Sequence, residues 1–216
     1  WNKDNLGGAR DDFAADALSI ADTCALNLCG TNEVFDVLSR GWTFEGESAV
    51  QVGAMEVSAT VLCPVTVTGT LTKKGAGRLA VASVVGESSA VLDVAEGELQ
   101  GCSANAFAGL PSLTFENGTK LVVDAATADV DLKVKGLELT AVALTVPQGG
   151  VPVVFESVSN GVEIAVATLA SEADAAKFAF VKPRGLAINR SVVPTDDGKC
   201  VLKARFFVPG LAIILR

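Results

Sequence analysis

Residues 65–84, VTVTGTLTKKGAGRLAVASV, decide the fold class. Val65, Val67 and Leu71 share one parity, Lys73, Lys74, Gly75, Ala76 and Gly77 interrupt it, and Leu79 and Val81 resume it. Alternation with period two puts one set of side chains on each face of an extended segment, so the stretch predicts strand, glycine-rich turn, strand. The unit recurs loosely downstream. Leu92 and Val94 precede Gly97 and Leu99 follows it; Val130, Leu132 and Val134 precede Gly136 and Leu137 and Leu139 follow it. Parity flips at both glycines, and a one-residue slip would turn a whole apolar face to water, so each glycine must absorb the change in a bend. These glycines read as corners.

Working outward, residues 13–28 read as two strands broken at Asp22 and Thr23, followed by strands over 34–38, 42–44 and 49–52 and an alternation at Met55, Val57 and Ala59. Asn117-Gly118, between Leu113-Thr114-Phe115 and Leu121-Val122-Val123, predicts a hairpin. Asp129, Asp131, Lys133 and Lys135 alternate with Val130, Leu132 and Val134, which predicts a strand with its charged face in solvent. Residues 171–177, SEADAAK, predict a single helical turn capped by Ser171. A second hairpin is expected across Asp197-Gly198.

Composition narrows the class. The 216 residues suit one domain, half of them are apolar, and only 6% are aromatic, so the core must be thin and aliphatic. Uncharged apolar runs such as 141–146 and 206–215 fall well short of the roughly 20 residues a membrane helix needs. A net charge of −8 with scattered Lys and Arg argues against nucleic acid and against an anionic membrane surface. Histidine and tyrosine are absent, which removes the commonest general base and the commonest neutral metal ligand.

Successive short strands without intervening helices leave an all-β chain, either a parallel β-helix (β-solenoid) or a β-sandwich. Glycine corners and a thin core favour the solenoid. The expected organisation is one domain: residues 1–12 as an irregular lead-in or cap, 13–170 as coils, and 171–216 as an antiparallel C-terminal cap over the open end.

Residues 69–81, GTLTKKGAGRLAV, with 96–100, EGELQ, resemble the autotransporter-associated β-strand repeat, in which a Gly-x-Leu strand, a Lys-x-Gly-x-Gly turn and a Leu-rich strand follow one another. The resemblance is specific over about residues 65–100 and looser from about 13 to 140. It implies a right-handed parallel β-helix, exported by a bacterium and displayed at the cell surface or released, often as an adhesin or stalk. It brings no catalytic residues and no cofactor. Five cysteines, at 24, 29, 63, 102 and 200, are more than such passengers usually carry, and a membrane barrel is not expected within these 216 residues.

The chemistry offered by the sequence is modest. Cys24 and Cys29 are expected to form a structural disulfide if the protein is exported, and to be buried thiols otherwise. Lys73 and Lys74 are the candidate contacts for an anionic glycan, although a tight turn needs polar residues in any case. Asp124, Asp129 and Asp131 suggest a calcium or glycosidase-like site but read better as a solvent face, and Asp196-Asp197-Gly198 reads better as a turn than as a calcium loop. Trp42 and Phe44 could stack sugars, and burial is their default. The expected partners are surface glycans or proteins of a host or neighbouring cell, with self-association as a third option. The expected role is a non-enzymatic module for adhesion or structural display, with a polysaccharide lyase or hydrolase as the alternative.

Overall fold

The computed structural model describes residues 18–28, 30, 32–35, 41–126 and 128–209. The chain opens with β1 (Leu18–Ile20), β2 (Ala25–Leu28), β3 (Glu33–Phe35), β4 (Trp42–Phe44) and β5 (Glu47–Val52). It continues through β6 (Ser58–Val67), β7 (Thr70–Lys74), β8 (Arg78–Gly86), β9 (Val91–Val94), β10 (Glu98–Gly101), β11 (Ser112–Phe115) and β12 (Lys120–Asp124). After the helix α1 (Val130–Lys135) come β13 (Leu137–Glu138), β14 (Ala143–Thr145), β15 (Val151–Glu156) and β16 (Glu163–Leu169). The helix α2 (Glu172–Ala175) then leads to β17 (Phe178–Phe180), β18 (Ala187–Pro194) and β19 (Cys200–Phe207).

These strands are the laps of a parallel β-solenoid of about seven turns. One sheet runs in the order β1-β4-β6-β8-β10-β12-β15-β17, with β3 beside β6, and a second runs β14-β11-β9-β7-β5-β2. The chain alternates between the two, each strand lying parallel on the strand one lap earlier. Inward columns are aliphatic: Leu71, Leu92, Leu113 and Leu144 lie in register on one side, and Ala59, Leu79, Leu99, Leu121 and Val153 on the other. Each fully buried Leu or Val contributes about 1.5–3 kcal/mol, so a narrow lumen filled mainly by aliphatic side chains, with a few rings such as Trp42, Phe44 and Phe115, is well held. The parallel stacking excludes the sandwich.

The glycine corners have a steric cause. A Cβ on Gly69 would sit 2.3 Å from the Gly46 carbonyl oxygen, and one on Gly97 would sit 2.5 Å from that of Gly75. Each lap lies so close on the last that no side chain fits between them. Gly69 also divides the opening stretch, because Val65 and Val67 end β6 in one sheet whereas Leu71 lies in β7 of the other. A further bend carries no glycine: β6 turns between Val61 and Pro64, where its register with β8 shifts.

Two expected elements differ. Residues 130–135 form α1 and not a strand: the Asp129 carboxylate accepts from the Leu132 N–H at 2.6 Å, and the Gly136 N–H closes the last turn onto the Leu132 carbonyl. Cap residues outweigh alternation over so short a span. Leu132 alone is buried, while Val130 and Val134 are exposed. Asn117-Gly118 does not close a hairpin either; it is a corner joining β11 and β12, which belong to different sheets. Met55 lies exposed in a turn before β6 begins at Ser58.

The break at Asp22 and Thr23, the capped turn at Ser171 and the hairpin across Asp197-Gly198 all form. A four-stranded sheet, β13-β16-β19-β18, has antiparallel pairs β16–β19 and β18–β19. It draws in β16, from Glu163, ahead of the expected start at residue 171.

Candidate functional site

The densest polar cluster lies on the outer face of the large sheet. Lap-to-lap register brings Ser58, Arg78, Glu98 and Lys120 into one column. Arg78 Nη2 donates to Glu98 Oε2 at 2.9 Å and to Glu156 Oε1 at 2.6 Å, while Nη1 donates to the other Glu156 oxygen at 2.8 Å. Lys120 Nζ adds a bond to Glu98 Oε1 at 3.2 Å. Two carboxylates therefore share one guanidinium, in a half-buried setting where charge-assisted bonds are strong. The Glu156 hydrogen bond holds Arg78 above its ordinary value. Burial pushes Glu98 up, but bonds to Arg78 and Lys120 with their charges outweigh it and hold the carboxyl below the usual range. Glu98 is ionised at neutral pH, and Arg78 and Lys120 satisfy both its oxygens.

The second ordered polar group is inside. Lys73 occupies an inward column otherwise made of Leu26, Val50, Val94 and Phe115, and it is completely buried. Its Nζ curls to the corner and donates to the carbonyls of Gly75 and Gly77, both at 2.5 Å, and of Glu96 on the next lap at 2.6 Å. Burial lowers its pKa to about 8, against the upward pull of Glu96 and Glu98. The Lys-x-Gly-x-Gly spacing thus has a mechanical reason: the lysine clips its own turn and ties it to the following one. As a glycan contact Lys73 is ruled out by this burial, whereas Lys74 is exposed.

The other candidate residues stay apart. Asp129 caps α1, Asp131 pairs loosely with Lys135 at 3.7 Å in solvent, and Asp124 accepts from the Ala126 N–H. Among the described residues no three acidic or cysteine side chains are grouped to hold a metal. Asp197 accepts from Thr195 Oγ1 and pairs with Lys199 at 3.0 Å, which holds it down to about 2 within a hairpin turn. Trp42 and Phe44 are buried, and Trp42 lies edge-on to both Phe44 and Phe35, so neither meets a sugar.

Cys24 is exposed, and the pairing expected with Cys29 lies outside the described residues. Burial, then Asp124 and Asp129, push the Cys102 thiol up to about 11, and burial raises Cys200 as well, so neither is an activated nucleophile. The lumen holds a gap of about 10 Å³ lined by Trp42, Phe44, Leu71 and Leu92, apolar and about the size of a single water molecule.

Sequence reasoning did not single out Arg78, Glu98, Lys120 and Glu156. Only the register unites them, and the sole signal was the resemblance of residues 69–81 and 96–100 to one repeat unit, which places two laps side by side. No protein-family model, curated protein or solved structure matches the chain. Fold and site together define a parallel β-solenoid whose ordered polar side chains bridge one lap to the next.

Proposed function

We propose that this chain is a non-enzymatic structural module, a section of solenoid exported to the cell surface or beyond it, which displays a surface for adhesion. The observation that carries the reading is the use made of its ordered charges. Arg78, Glu98, Lys120 and Glu156 bind one another across successive laps, and Lys73 ties two corners together. Such bonds stiffen a stack. The resemblance of residues 69–81 to an autotransporter-associated repeat supports the same reading.

One observation favours a carbohydrate-active alternative: the carboxylates of Glu98 and Glu156 both touch Arg78 Nη2, close enough to suggest an acid/base pair. Glycosidic cleavage needs one carboxyl protonated at working pH, and Glu98 is shifted the other way. The test uses the purified chain on a glycan array, on intact cells, and with soluble polysaccharides assayed for new reducing or unsaturated ends. Saturable retention without cleavage is the expected result. Turnover that disappears in Glu98→Gln would overturn the proposal in favour of the enzyme. Concentration-dependent light scattering without retention would overturn it in favour of a self-assembling subunit.

A further inference from the structure

The sequence contains two Asn-Gly pairs, Asn117-Gly118 and Asn160-Gly161, and the fold treats them differently. Asn117 and Gly118 project from the corner between β11 and β12, both exposed. The corner is pinned on either side of them: Glu116 N–H donates to the Val94 carbonyl at 3.0 Å, Lys120 N–H to the Gly97 carbonyl at 3.1 Å, and the buried Thr119 hydroxyl to the Glu116 carbonyl at 2.7 Å. Between those anchors, among the described residues, neither the Gly118 N–H nor the Asn117 carboxamide makes a hydrogen bond. A Cβ at Gly118 would meet nothing within 4 Å, so its peptide plane has room to rotate.

Asn160-Gly161 is also at the surface but is fastened to β19. Gly161 N–H donates to the Phe206 carbonyl at 2.9 Å, and the Asn160 side-chain oxygen accepts from the Val208 N–H at 3.1 Å. Both groups that would have to react are already engaged.

We infer that Asn117 is a site of spontaneous covalent modification by succinimide formation, and that the fold protects Asn160 from the same reaction. The Gly118 backbone nitrogen attacks the Asn117 side-chain carbonyl carbon. A new C–N bond forms to Cγ, the bond from Cγ to Nδ2 breaks, and ammonia leaves with the proton that Gly118 gives up. Water then opens the ring at one of its two carbonyls, giving aspartate or isoaspartate. Both products add a negative charge beside Glu116, and isoaspartate inserts one extra atom into the main chain of that corner. Neither Asn117 nor Gly118 belongs to the Arg78 cluster, although Lys120 of that cluster anchors the corner through its backbone, so this inference does not rest on the proposed function.

The test is peptide mapping by mass spectrometry of the intact folded chain, sampled over days at 37 °C and mildly alkaline pH, with isoaspartate separated from aspartate by retention time. The expected result is progressive conversion of Asn117 at a rate roughly tenfold or more above that of Asn160, the difference that a retained hydrogen bond on the attacking nitrogen makes to a barrier. In denaturant the two sites should convert at similar rates. Asn117→Gln, which would need a larger ring, should leave the 112–120 peptide unchanged. Equal rates in the folded protein, or an intact Asn117 after Asn160 has converted, would overturn the inference.

Discussion

At the scale of single residues, Lys73 shows how a charge is tolerated in an aliphatic lumen. Its ammonium satisfies three carbonyls, of which Gly77 also accepts the Glu98 N–H at 3.3 Å. Replacing it by Met would leave the Gly75 and Glu96 carbonyls without that donor, so Lys73→Met is expected to lower stability by about 2 kcal/mol in urea titrations at pH 7. The pH dependence has a defined sign. The folded pKa, about 8, lies below the ordinary 10.5, so above pH 8 the unfolded chain holds a proton that the folded chain has released, and stability should rise. Cys102 acts oppositely: its folded value of about 11 exceeds 9.0, so above pH 9 the unfolded thiol ionises first and stability falls. Urea midpoints should therefore climb between pH 8 and 9 in the parent chain and lose that climb in Lys73→Met. Between pH 9 and 10.5 the two effects oppose each other, so Cys102→Ser should make the curve climb more steeply there than in the parent. A parent curve that is flat or falling from pH 8 to 9 would contradict the assignment to Lys73.

At the scale of elements, what was legible in the sequence was what local sterics decide. Corners at Gly75 and Gly97 could be read because the neighbouring lap excludes a side chain there, whereas Gly69, just as crowded, was passed over inside what read as one alternating strand. The bend of β6 between Val61 and Pro64 carries no glycine to mark it. Helix α1 was misread because Val130, Leu132 and Val134 alternate as a strand would, while the deciding features were its caps, Asp129 and Gly136, and its docking on β16. Asn117-Gly118 has the composition of a hairpin turn, but the partner of β11 is β9 on the previous lap, a long-range preference that turn chemistry cannot reveal. The Arg78 cluster was hidden for the same reason, since Glu156 is remote in sequence. Two substitutions test the element-level account. Asp129→Ala should cost about 1 kcal/mol by removing the N-cap. Gly97→Ala should cost more, about 3 kcal/mol, because its Cβ would meet Gly75 O and Lys73 Nζ, both 2.5 Å away, at a φ of +72°. Thermal melts would check both, and an Asp129→Ala variant more damaged than Gly97→Ala would reverse the ranking of corner over cap.

At the scale of the whole molecule, the strands of each lap pair with those of the laps before and after it, so apart from the longer reach of Arg78 to Glu156 stability is a sum of intrinsic terms and nearest-neighbour terms. A strand with a neighbour on both sides then needs two interfaces broken before its amides open, whereas an end strand needs one. β8 and β10 are flanked on both sides, and β8 also carries Arg78, which reaches Glu98 on the next lap and Glu156 beyond it. By contrast, among the described residues β14 pairs only with β11, β17 only with β15, and β18 only with β19. Hydrogen exchange on the native chain should therefore be graded, with amides of β8 and β10 exchanging roughly tenfold or more slowly than those of β14 and β17. Arg78→Met should flatten that gradient by accelerating β8, β10 and β15 together while leaving β18 unchanged, since the cluster ties laps and does not touch the antiparallel sheet. Uniform protection along the chain would mean that it opens in a single global step. The stack would then be a cooperative globule, and the picture of a stiff element built by repeating one interface would have to be given up.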